Sequence, residues 1–385
     1  MTAIPTRDEL VERARALVPA LRERAARTEE LRRLPEETLQ DFVDAGFIRV
    51  AQPTRWGGMG HEPTVVVDIC LEIARGCGSS GWLSSFYPLH QFMIGWFSEE
   101  AQQEYFGGHP DRLSATASAV TSLEREEVDG GIRLSAEWRF SSGVDYAEWI
   151  IPGTPNEFCL IPRSDFEVVD DWYVSGLCGT GSKSVRVEDV FVPEHRTVSH
   201  QSLLDGTAPS FQLNDSPWYQ VHSPGAPILN HFILAPVIGM ARGVLDLFDE
   251  RARIRRDPQT FQPALERPGP QLRFAEASAE LDAAEMFLRK NLADVREWGE
   301  SGRQESVEER ALIRRNIVYA TRLATQAVNR LVDGMDSSAL YDSSGLHRLA
   351  RDFRAGCLQF VLHWEEAAIQ WSRVHWGGEP HTVMI

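Results

Sequence analysis

The spacing of apolar positions changes character twice along the chain. Near the N-terminus, Leu10, Val11, Ala14, Leu17, Val18 and Leu21 recur at the three- and four-residue intervals of one helix face. Pro35 stands where a first helical turn accepts proline. Leu39, Phe42 and Val43 supply the apolar face that follows, and Gly46 marks its stop. After a loop at 52–58, two more helices are expected over Thr64–Arg75 and Ser79–Phe97. Near residue 112 the period drops to two. Ile132, Leu134, Ala136, Trp138 and Phe140 alternate with polar neighbours behind a turn at Gly130 and Gly131. Strand-like runs follow at 149–151, 158–161 and 185–192, the last closed by Pro193. Residues 200–228 are rich in Ser, Pro, Gly and Asn and read as a long loop, functional or mobile. Helical spacing then returns over Leu229–Arg256, Leu272–Glu300, Val307–Asp333 and Leu346–His375, the pattern of an antiparallel four-helix bundle.

The expected fold is therefore mostly α, in the α+β class. A helical domain over 1–111 is followed by a central β domain over 112–205, a substrate or linker loop over 206–228 and a four-helix bundle over 229–385. A chain of 385 residues can bury cores of that number. Its net charge of −17 repels phosphate backbones and anionic lipids, so neither nucleic acid nor membrane is an expected partner. Apolar stretches such as Phe232–Met240 are too short to span a bilayer, and the charged, amphipathic N-terminus does not read as a secretory leader. Five cysteines, an odd number without CxxC spacing, suggest neither disulfides nor a zinc site; a reducing cytoplasm fits.

Local motifs narrow the picture. The loop Gln-Pro-Thr-Arg-Trp-Gly-Gly at 52–58, the run Cys-Gly-Thr-Gly-Ser at 178–182 followed by Val185–Pro193, and Leu349–Arg354 occur in the order and spacing of the acyl-CoA dehydrogenase superfamily, which the chain resembles across nearly its whole length. Three further segments resemble the flavin monooxygenase branch of that superfamily. These are Cys77–Trp82 with His90 beyond it, Trp138–Trp149, and the frame from Arg351 and Asp352 to Trp364. That branch includes oxygenase components of 4-hydroxyphenylacetate and steroid-ring hydroxylases and the amino-sugar nitrososynthases.

The resemblance implies an acyl-CoA dehydrogenase-like fold with a central β-barrel domain. It also implies the oxygenase half of a two-component monooxygenase of secondary metabolism, assembled as a homotetramer with flavin sites between subunits. Reduced FMN or FAD would diffuse in from a separate NAD(P)H-dependent reductase and react with O2 to a C4a-hydroperoxide. That species oxygenates a small aromatic or amine substrate. The run at 179–182 lacks the third glycine of a dinucleotide fingerprint, in keeping with a reductase elsewhere.

The same resemblance places Ser141 and Ser142 as donors at flavin N5 and the peroxide, Trp138 and Phe140 against the isoalloxazine, and Thr116 and Ser118 at the flavin edge. Read from alternation alone, Trp138 and Phe140 are β-domain core and the serines a turn. His90 is a substrate-pocket candidate, or a satisfied core histidine. Arg253, in a cluster with Arg251, Arg255 and Arg256, is the candidate for the flavin phosphate, or part of a solvated basic face. Gln359 stands where the branch usually has histidine; its amide hydrogen-bonds but cannot act as a base. His363, four residues on and expected on the same helix face, reaches the pocket or the subunit surface. Two alternatives stay open. An acyl-thioester dehydrogenase or desaturase is disfavoured because Phe360 falls where many such enzymes carry their glutamate base. The other is a flavin-free descendant of the fold, with another reaction or a binding role.

Overall fold

The computed structural model describes residues 4–223, 225–257, 259–335, 337–341 and 344–380. Five helices come first: α1 (Arg7–Leu31), α2 (Glu36–Asp44), α3 (Pro63–Ile73), α4 (Gly78–Ile94) and α5 (Glu99–Phe106). Helix α1 starts on a capping box, in which Thr6 and Glu9 satisfy each other's backbone N–H groups. Helix α4 is buried around its whole circumference, with only Phe86 partly open, so it is the central rod on which the other layers pack.

The β domain holds β1 (Ser114–Ala117), β2 (Ala119–Val128), β3 (Gly131–Ser141), β4 (Trp149–Pro152), β5 (Glu157–Cys159), β6 (Ile161–Pro162), β7 (Glu167–Val169), β8 (Lys183–Pro193) and β9 (Thr197–Ser199). They form sheets ordered β2-β3-β8-β7, β1-β4-β6 and β5-β9. Their inward residues, among them Ala115, Leu134, Trp138, Ile150, Ile161 and Val185, share one apolar core. The alternation along β3 holds through Trp138 and then fails. Phe140 adopts φ 65°, the pairing with β8 shifts register between Trp138 and Ser141, and the Phe140 ring turns out to solvent. The sequence expectation of one shared face for Trp138 and Phe140 is thereby corrected.

Short helices α6 (His200–Leu204) and α7 (Ser210–Leu213) and a 3-10 turn at Pro217–Gln220 break up the expected long loop. Trp218 and Tyr219 are buried, with Tyr219 stacked on Phe92 of α4 at 4.3 Å and its hydroxyl donating to the Phe92 carbonyl at 3.0 Å. These rings therefore belong to the core.

The C-terminal part comprises α8 (Asn230–Ile254), α9 (Pro268–Ser301), α10 (Val307–Asp333), α11 (Gly345–Cys357) and α12 (Trp364–His375). By length and composition the segment Pro227–Ile254 is apolar enough to cross a membrane, longer than the sequence reading allowed, yet 89% of its apolar window is buried inside the fold. Asp68 of α3 accepts from Arg7 of α1 and Arg289 of α9, and Arg75, in the turn just past the end of α3, grips Asp246 of α8 through two hydrogen bonds at 2.8 and 2.9 Å. These pairs lock the N-terminal helices to the bundle. The last expected helix is two. Gln359 and His363 both have extended backbone, at ψ 132° and 120°, so they do not share a helix face.

Candidate active site

Three side chains of α4 fall at i, i+4 and i+8 and stack along one face. Trp82 lies 5.3 Å from Phe86 and nearly parallel to it; Phe86 meets His90 edge-on at 5.9 Å. Strand β1 closes one end of this row. The Nδ1 atom of His90 lies 2.6 Å from the Ser114 carbonyl and its Nε2 lies 3.2 Å from the Thr116 hydroxyl. A carbonyl only accepts, so Nδ1 carries the proton and Nε2 accepts from Thr116. Burial pushes the His90 pKa down to about 4, so the ring is neutral near pH 7.

At the other end, Trp82 Nε1 donates to Ser142 Oγ at 3.2 Å. Ser142 Oγ lies 2.7 Å from Ser182 Oγ, which lies 2.7 Å from Thr180 Oγ1, which donates to the Leu177 carbonyl at 2.8 Å. Ser141 donates to the Thr116 carbonyl at 3.1 Å and so joins the two ends. The turn after β3 needs glycine at 143. Its φ is 78°, its N–H donates to the Thr180 carbonyl at 2.8 Å, and a Cβ there would lie 2.7 Å from the Tyr87 hydroxyl.

Helix α11 covers the Trp82 end. A Cβ on Gly356 would stand 3.2 Å from the Met240 methyl and 3.3 Å from the indole, tighter than ordinary contact, so glycine lets this helix lie close. One turn earlier, Asp352 is buried over the first residue of α4 and accepts from the Leu177 N–H at 2.7 Å. Desolvation outweighs that hydrogen bond and raises its carboxyl pKa to about 7. Just beyond α11, the side-chain oxygen of Gln359 accepts from the Val361 N–H at 2.7 Å. Its NH2 has no partner among the described residues and is the group it can offer a ligand.

Of the sequence candidates, His90, Thr116, Ser141 and Ser142 come together. Phe140, 59% exposed, stands beside the cluster edge-on to Trp172 at 6.1 Å. Trp138 is a correction. It is sealed in the β-domain core with its Nε1 donating to the Gly153 carbonyl at 2.9 Å, so it has no face to offer a flavin. Ser118 is exposed at the end of β1, and Arg253 is an exposed surface residue paired with Asp249 one turn before it. His363 is exposed at the start of α12. Sequence reasoning passed over Trp82, Phe86, Thr180 and Ser182 as individual residues. The 82–86–90 spacing and the hydroxyls at 180 and 182 were the signals available.

The residues present suit a flat heterocycle: Phe140 offers an exposed ring held on a backbone conformation that L residues rarely adopt, and Ser142 stands next to it with hydrogen-bonding capacity left over. Comparison with known proteins agrees. Residues 5–109 match the family model for the acyl-CoA dehydrogenase N-terminal domain, and 231–364 match an acyl-CoA dehydrogenase C-terminal domain. The chain is 36% identical to the flavin-dependent monooxygenase oxygenase subunit HsaA of Rhodococcus jostii, over 97% of this chain and 100% of that protein. It is 30% identical to the oxygenase component of an FADH2-dependent resorcinol hydroxylase of a Rhizobium species, over 96% and 95%. The crystal structure of a 3-HSA hydroxylase from Rhodococcus superposes with a TM-score of 0.91 at 35% identity, over 98% and 99% of the two chains. The chain therefore belongs to the acyl-CoA dehydrogenase superfamily and, within it, to the oxygenase components of flavin-dependent monooxygenases.

Proposed function

We propose that this oxygenase hydroxylates a small phenol-like aromatic ring, with FMN or FAD reduced by a separate reductase, in the cytoplasm. The observation that carries this reading is the α4 face: an aromatic row, Trp82–Phe86–His90, whose one incompletely buried member is Phe86 and whose ends are the hydroxyls of Ser142 and Thr116. A planar substrate gains contact area against such a row. The resorcinol-hydroxylase relative favours a ring over an amine as the site of oxygenation. Reduced flavin, when bound, activates O2 and supplies the electrophilic oxygen atom.

The chain's own residues then have separable tasks. Ser142 meets the flavin edge at N5, Phe140 lies against the ring system, and the buried hydroxyl cluster keeps water from that edge. Thr116 and neutral His90 position the ring of the substrate without exchanging protons with it. The NH2 of Gln359 donates to the phenol oxygen and stabilises charge there without removing the proton. Arg253 is assigned to the flavin phosphate, leaving Asp249 when it binds. A dehydrogenase reading lacks its base: Phe360 is an exposed ring in the turn between α11 and α12.

The assembly is proposed to be a homotetramer built through the bundle, since Leu272 and Met286 of α9, Leu358 and Phe360 beside the break, and Ile369 of α12 all expose large apolar surface in the single chain. A monomer in light scattering at micromolar concentration would overturn the assembly. For the reaction, the test is single turnover of the reduced-flavin complex with O2 and a panel of phenols, indoles and amines. Mass-shifted ring product from a phenol is expected; hydrogen peroxide alone, or product only from amines, would sink the assignment.

A further inference from the structure

The hydroxyl chain ending at Ser142 has a direction, and the direction follows from proton counting. A hydroxyl has one proton to give and two lone pairs to accept with. The Leu177 carbonyl can only accept, so Thr180 gives it its proton. With that proton used, the 2.7 Å contact between Thr180 and Ser182 must be donated by Ser182. With that one used, the 2.7 Å contact between Ser182 and Ser142 must be donated by Ser142. The indole N–H of Trp82 can only donate, and it takes one lone pair of Ser142. Ser142 is left with one free lone pair and no free proton.

The end of the chain is held firmly. Leu177 sits at φ 54°, its N–H is fixed on Asp352, and its carbonyl also accepts from Thr180 N at 3.1 Å and Trp172 Nε1 at 3.2 Å. Thr180, Ser182 and Ser142 are all buried, so no bulk water competes for these protons.

We propose that Thr180 and Ser182 are positioning residues that lock Ser142 as a hydrogen-bond acceptor and thereby make the site selective for reduced over oxidised flavin. The inference rests on the assignment of Ser142 to flavin N5. Reduced flavin carries a hydrogen on N5; oxidised flavin presents a lone pair there. An acceptor at Ser142 receives the N5–H of the first and faces the lone pair of the second. This reverses the donor role expected for Ser142 from sequence. It also gives a diffusing cofactor what it requires, a site with different affinities for the two redox states.

The test is anaerobic titration of the full chain with FMN and with FAD, each oxidised and reduced, read as the ratio of the two dissociation constants. Thr180→Val keeps the volume and removes the hydroxyl. Ser182 can then turn its proton to Ser142, whose own proton is freed toward N5. The preference for reduced flavin should fall roughly tenfold, mainly through tighter binding of the oxidised form. Thr180→Ser restores the hydroxyl and should restore the wild-type ratio. Ser182→Ala frees the same Ser142 proton and serves as the second reading if Thr180→Val does not fold. A ratio within twofold of wild type in the Val and Ala variants, or equal weakening of both redox states, overturns the proposal. Ser142→Ala separates the two layers. If it leaves the ratio unchanged, the placement of Ser142 at N5 is wrong; if it changes the ratio while the relay variants do not, only the relay is wrong.

Discussion

The face of α4 and the break between α11 and α12 are both assigned to the proposed site, yet they are built in opposite ways. On the α4 face each polar atom named has a partner from another element of the same chain: His90 from β1, Trp82 from the end of β3, Ser142 from the start of β8. At the break, the one side-chain partner of Gln359 among the described residues is its own backbone neighbour, and Leu358, Phe360 and His363 lie exposed. The first region is pre-organised and holds its geometry whatever binds. The second keeps unspent donors and apolar surface, which suits a boundary completed by substrate or by another subunit. The contrast separates the placement of flavin and substrate ring, which needs a fixed environment, from the choice among substrates, which needs a variable one.

The contrast can be broken at either end. The largest effect is expected from Trp82→Ala, which removes a buried indole that both packs and donates. A loss of about 3–5 kcal/mol in denaturant unfolding is expected, whereas Trp82→Phe should cost about 1 kcal/mol for the lost hydrogen bond. A cost below that for the alanine variant would show that the α4 face is not part of the rigid core. Next comes Asp352, whose carboxyl is raised from its ordinary 3.8 to about 7 by burial. A raised carboxyl favours the folded state when protonated, so its stabilising contribution is complete below about pH 4 and is lost as pH rises through 7. Unfolding midpoints should therefore carry a downward component between those values that Asp352→Asn lacks. Parallel pH curves for the two proteins would remove the buried, protonatable carboxyl from the argument.

Smaller effects are expected at the break. Any ionisation of wild-type kcat/KM between pH 6 and 8 should be absent from Asp352→Asn, because His90 is already neutral there and Gln359 does not titrate. Gln359→His should introduce one near 6.5, with the fold intact. Identical pH profiles would place residue 359 outside the pocket. The smallest effect belongs to His363→Ala. An exposed side chain at the head of α12 should change stability by less than about 0.5 kcal/mol and leave product yield within about twofold. Loss of product in this variant would mean that the open region holds a base after all.

Helical spacing was readable wherever one face packs on a continuous core: α10 spans Val307–Asp333 as expected, and α3, α4, α8 and α9 differ from expectation by a few residues. The break after Cys357 was not readable, because no proline intervenes and the apolar spacing continues through it; only backbone dihedrals reveal it. Alternation along β3 correctly placed Ile132, Leu134, Ala136 and Trp138 inside. It misplaced Phe140 because a positive φ at a non-glycine residue leaves no trace in composition. At the site, the motif at 178–182 carried Thr180 and Ser182 in plain view. Their role depends on a turn that brings them under Ser142, forty residues earlier in the chain, and no local pattern encodes that approach.

The positive φ at Phe140 also bears on how this protein can change over time. A strand alternates strictly between two sides, so removing one residue exchanges them. In β3 the exchange would carry the Trp138 indole out of the apolar core and turn charged neighbours such as Glu137 and Arg139 into it. Drift at this edge is thus restricted to replacing one side chain by another. Gains and losses of length have to accumulate where no alternation is at stake, and the 3-10 turn between Leu358 and His363 is such a place. A lineage of this fold exploring new substrates is expected to vary there in both length and sequence while keeping the spacing from Trp138 to Gly143 unaltered.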